Sequence, residues 1–62
     1  MRAFDFCNTV GEVTYFANVV EVTGGWKMKP SKLRKLRITR LTQRFFESRD
    51  AAVKAAKKAV RL

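Results

Sequence analysis

The sequence has no histidine, one cysteine and one proline, and only 5 aspartates and glutamates against 14 lysines and arginines. Each scarcity excludes something. With Cys7 alone no intrachain disulfide can form, and without histidine there is no thiolate–imidazole metal site of ordinary spacing. Disulfide scaffolds and zinc fingers are thereby excluded, and nothing in the sequence implies a metal or another cofactor. The five carboxylates, Asp5, Glu12, Glu21, Glu47 and Asp50, form no recognisable acid–base pair, so the chain reads as non-enzymatic. Cys7 has no neighbouring base to activate it and is expected as a half-buried strand residue.

Long apolar runs are also missing. The longest, Tyr15 to Val22, is interrupted by Asn18 and Glu21 and falls well short of the roughly 20 residues that a membrane span needs. Asp5 sits where a secretion signal would carry its apolar core, and no small-residue cleavage site follows. The expectation is a cytoplasmic protein, in the host cytoplasm if the chain is viral, with no membrane partner.

What is present is a single small basic domain, residues 1–62, with a formal net charge of +9. At 47% hydrophobic residues, seven of them aromatic, the composition is too apolar for a disordered tail. A chain of this size buries only about 60% of the surface its unfolded form exposes, which disfavours deep pockets. So small a core would also gain from a second copy, and a homodimer is carried as an expectation. The charge is segregated: residues 1–25 hold one cation and three anions, residues 26–62 thirteen cations and two anions. Solubility alone would not require such crowding, which suggests a surface built for an anion.

The first half reads as a β-meander. Val13, Tyr15, Ala17 and Val19 alternate with Thr14, Phe16, Asn18, Val20 and Val22 in a β-branched and aromatic run. Phe4, Phe6 and Val10 share the parity of a preceding antiparallel strand, with Asn8 to Gly11 as the turn. After Thr23-Gly24-Gly25, a two-residue Gly24-Gly25 loop would set Val22 opposite Lys27. A three-residue loop sets Val22 opposite Trp26, Val20 opposite Met28 and Glu21 opposite Lys27, segregating apolar from charged side chains, and is preferred. Phe16, Val20, Val22, Trp26 and Met28 would then form the core face, and Pro30 would stop the strand.

At the other end, Ser48 is a natural N-cap, Asp50 suits the positive end of a helix dipole, and an alanine-rich run follows, giving a helix near 49–61. Lys54, Lys57, Lys58 and Arg61 lie on one stripe, and Ala52, Val53, Ala56, Ala59 and Val60 on the opposite side. The stretch between, Lys32 to Phe46, holds six cations in fifteen residues and fits both periods in part. Strand is favoured over helix, either one twisted strand or two short ones with a turn near Leu41 to Gln43, with Phe45 and Phe46 anchoring sheet to helix. The fold class is therefore α+β: a small antiparallel sheet of three or four strands packed by one C-terminal helix, the alternative being a β-meander followed by two helices.

Arginine suits phosphate because its planar fork donates two parallel hydrogen bonds. Cations on one face of a pleated strand repeat at about 6.6 Å, comparable to successive phosphates of a nucleic-acid strand. The candidate nucleic-acid-binding residues are Lys32, Arg34, Lys35, Arg37, Arg40 and Arg44, supported by Lys54, Lys57, Lys58 and Arg61. Neutralising four to six phosphates would give a log–log salt slope of about −4 to −5 on duplex DNA. Trp26 and the phenylalanines are read as core rather than as a stacking platform.

The segment RFFESRDAAVKAAKKAV, residues 44–60, resembles the last-strand-to-helix junction of the three-stranded-sheet-plus-helix DNA-binding domains at the N-termini of phage integrases. That resemblance implies a sheet laid in the major groove. SRDAAVKAAKKAV is also similar to the final helix of double-stranded RNA-binding domains, but Asp50 stands where that family prefers a lysine, and no helix precedes the strands. The expected function is a non-enzymatic nucleic-acid-binding module, DNA before RNA. The alternative is a small accessory protein, of the kind phages or mobile elements carry, that binds or inhibits an acidic protein partner.

Overall fold

The computed structural model describes residues 2–62. Five antiparallel strands, β1 (Ala3–Val10), β2 (Val13–Val22), β3 (Gly25–Arg34), β4 (Arg37–Arg40) and β5 (Arg44–Phe46), are followed by one helix, α1 (Arg49–Ala59). The sheet runs β1-β2-β3, and both β4 and β5 pair with the far edge of β3. This is the α+β architecture read from the sequence, a sheet covered on one face by a single C-terminal helix. None of the described helical residues forms a helix long and apolar enough to cross a membrane.

Two tight turns set the register, and both differ from the sequence reading. The β1–β2 turn is Gly11-Glu12, with Val10 opposite Val13, so Asn8 to Val10 belong to the strand. Gly11 takes φ +61° at the first central position, where a type II′ turn places glycine. The β2–β3 loop is the two residues Thr23-Gly24, not three: Val22 faces Gly25, Glu21 faces Trp26 and Val19 faces Met28. Gly24 supplies the positive φ, +84°. Shifting the loop by one residue exchanges the faces of β2. Ala17 and Val19 are therefore buried with Met28, while the expected core residues Phe16, Val20 and Val22 lie on the opposite, open face. Trp26 and Met28 keep their core assignment, and Glu21 faces an indole instead of Lys27.

Pro30 does not stop β3, which continues to Arg34. Its carbonyl accepts a hydrogen bond from the Leu41 amide at 3.0 Å, so its nitrogen also faces the β4/β5 edge. A proline nitrogen has no hydrogen to donate to a neighbouring strand. The partner strand is broken there, at 41–43, into β4 and β5. Two short strands divided near Leu41 to Gln43 were among the sequence expectations. The tight turn at Lys35-Leu36 that closes β3 onto β4 was not.

The core is small-residue packing. Ala52 and Ala56 of α1 and the following Val60 are buried against Ala17, Val19 and Met28. Phe4, Phe6, Tyr15, Trp26 and Phe46 close its sides, with the Phe4 and Trp26 rings 6.0 Å apart. Alanines let the helix backbone approach the sheet, so burial falls chiefly to Val19, Val60 and Met28, at about 1.5–3 kcal/mol for each large apolar side chain. Of the two phenylalanines expected to anchor the helix, Phe46 does so, whereas Phe45 points to the open face and is 53% exposed. Cys7 is exposed on the edge strand rather than half-buried.

Candidate nucleic-acid interface

Residues directly opposite in an antiparallel pair share a face. On the helix side of the sheet, Tyr15, Lys32 and Thr39 therefore form one row, and Val13, Arg34 and Arg37 the next. The helix ends at the level of Tyr15, where the Arg61 guanidinium lies 4.8 Å above the ring centroid. Beyond that point this face of the sheet carries Lys32, Arg34, Arg37 and Thr39, which with Lys35 line an open concavity of about 390 Å³. No carboxylate lines it. Among the described residues Glu12, in the adjacent β1–β2 turn, makes no ion pair, and the single salt bridge is the exposed Arg49–Asp50 contact at 3.6 Å.

Arg34 and Arg37 are directly opposite each other, and like charges so placed destabilise a sheet. Lys35 and Leu36 form the turn between them, both left-handed at φ 51° and 63° without being glycine. Two-residue hairpins favour this conformation, usually with Asn-Gly or a similar pair in it.

The remaining sequence candidates divide. Arg44, Lys54 and Lys58 rim a second concavity of about 550 Å³ between α1 and the broken edge of the sheet, floored by Met28, Leu41 and Phe46. The Arg44 guanidinium sits 5.0 Å above the Phe46 ring. Arg40 pairs with Ser31 and so points to the open face, away from Arg37. There it joins Lys29 around a hollow of about 290 Å³ that also includes Asn18, Leu41 and Gln43. Lys57 lies exposed in the last helical turn. The structure thus gathers Lys32, Arg34, Lys35 and Arg37, extends them through Tyr15 to Arg61, and separates Arg40 from both groups.

Sequence reasoning missed Tyr15, Thr39 and the open-face lysines Lys27 and Lys29. One overlooked signal was local. Lys32 to Thr39 reads cation-apolar-cation, Lys-Leu, cation-apolar-Thr, nearly symmetric about residues 35 and 36, as a hairpin with one basic and one apolar face requires. Among known protein families, curated proteins and solved structures, no match to this chain is found.

Proposed function

We propose that this chain is a non-enzymatic module that binds nucleic acid, DNA before RNA, by gripping phosphates with Lys32, Arg34, Lys35, Arg37 and Arg61. The observation that carries the reading is the side-by-side Arg34 and Arg37 in a concavity lined by four cations and no carboxylate. Such an arrangement costs stability until an anion occupies it, and forked guanidiniums fit phosphate oxygens in pairs. The grooves of B-form DNA admit a two-stranded β-ribbon, whereas the major groove of A-form RNA is too deep and narrow for side chains to read. The resemblance of residues 44–60 to integrase DNA-binding domains points the same way.

The test is fluorescence anisotropy with labelled duplex DNA, duplex RNA and single-stranded DNA at about 50 and 200 mM salt. With four to five phosphates neutralised, affinity for duplex DNA should fall about 200-fold between the two conditions. Arg34→Ala/Arg37→Ala should flatten the salt slope by about 2. No duplex binding at the lower salt, or a double variant indistinguishable from the parent, would overturn the proposal. The groove rimmed by Arg44, Lys54 and Lys58 favours a second reading, docking on an acidic protein. That reading is supported if Arg44→Ala/Lys58→Ala alone abolishes binding to anionic targets.

A further inference from the structure

We infer that Leu36 is a wedge: with the β3–β4 hairpin seated on duplex DNA, its side chain enters between two adjacent base pairs. This rests on the nucleic-acid reading above and adds how the DNA is deformed. Leu36 is 97% exposed, at the outermost point of a hairpin whose other strand-end residues are Arg34 and Arg37. An aliphatic side chain in that position buries nothing within the fold. It is moreover held in left-handed backbone that leucine disfavours, as is Lys35 beside it. A residue that contributes no packing and strains its own turn suggests a use outside the chain.

The surroundings say what that use is. Arg34, Lys35 and Arg37 gather positive charge beside the leucine on the helix-side face, where it can hold the phosphates next to a base step. Directly behind it on the open face, Leu33 and the 64% exposed Ile38 are opposite each other, giving the tip an apolar shoulder. β3 is hydrogen-bonded to β2 as far as Arg34, so the tip stands on a supported ribbon rather than a mobile loop. Proteins that kink DNA combine these parts, basic contacts to the backbone and an apolar side chain that partly unstacks one step. A bilayer would also attract a basic tip, but its binding strength scales with buried apolar area, and here a single side chain leads.

The experiment uses duplexes carrying 2-aminopurine, whose fluorescence rises on unstacking, and the parent chain beside Leu36→Gly and Leu36→Phe. The glycine variant removes the wedge and relaxes the turn. It should melt at a higher temperature than the parent, keep the parent's salt slope, and lose the fluorescence rise. It should also lose about tenfold of the parent's preference for a duplex with a flexible TA step over a stiff A-tract. Leu36→Phe should retain the rise. If the parent binds duplex DNA without unstacking it, or if Leu36→Gly unstacks it equally, the wedge is wrong while the phosphate-gripping reading stands. If the parent binds no DNA, both fall. Leu36-dependent binding to vesicles containing anionic lipid, with no unstacking of DNA, would make the tip a membrane anchor and overturn the inference.

Discussion

Gly25 and Gly24 adjoin in the same hairpin and are constrained by different things. Gly24 has open space where a side chain would sit and is selected only by its φ of +84°. Gly25 has no such torsional demand, but an added Cβ would collide with the Phe46 carbonyl oxygen and lie 2.6 Å from Phe45 Cζ. β5 crosses β3 that closely because the Phe45 ring covers the glycine on the open face. Gly25→Ala should therefore lower stability by about 1–3 kcal/mol, read as a fall in the urea midpoint at unchanged slope. Gly24→Ala should cost about 1–2 kcal/mol through its backbone alone. An unaltered midpoint for Gly25→Ala would mean that β5 does not seat on β3. Both glycines were visible in the sequence as hairpin punctuation. Their separate roles were not, because the contact that makes Gly25 irreplaceable comes from residues twenty positions away.

The helix is fastened at each end by a different kind of contact. At its start the Ser48 hydroxyl accepts a hydrogen bond from the Ala51 amide at 3.1 Å, a local cap legible from the serine alone. At its end the amides of Arg61 and Leu62 donate to the carbonyls of Lys58 and Lys57, a Schellman closure with Arg61 at φ 62°. The Asn8 side-chain amide, from β1, donates to the Val60 and Arg61 carbonyls at 2.9 and 3.2 Å. Asn8→Asp would aim a carboxylate at those oxygens and at the negative end of the helix dipole. It should cost about 1–3 kcal/mol, with loss of helical ellipticity at a lower temperature than in the parent. Asn8 was legible only as a turn former, since nothing near it in the chain reveals a helix end fifty-two residues on. The β3–β4 hairpin lies between these extremes: its polarity pattern is in the sequence, but Lys-Leu is not the residue pair by which a tight turn is normally recognised.

For the molecule as a whole, the governing quantity is a formal charge of +9 with a single exposed ion pair among the described residues to offset it. Self-repulsion of this kind is relieved by screening or by an occupying anion. The melting temperature of the free protein should rise as salt increases. A duplex DNA at about 100 times its dissociation constant should add about 2.7 kcal/mol of stability, an increment that Arg34→Ala/Arg37→Ala should largely remove. Calorimetry with and without DNA checks both. Element types and the segregation of charge were determined by the residues themselves, because β-branching, alanine content, a serine cap and a local excess of cations act over a few neighbours. Which face of β2 became core, and which cations came to share a surface, was decided only by the tertiary structure. A strand repeats every two residues, so one residue more or less in a loop, or a proline nitrogen facing a neighbouring edge, redirects every side chain beyond it.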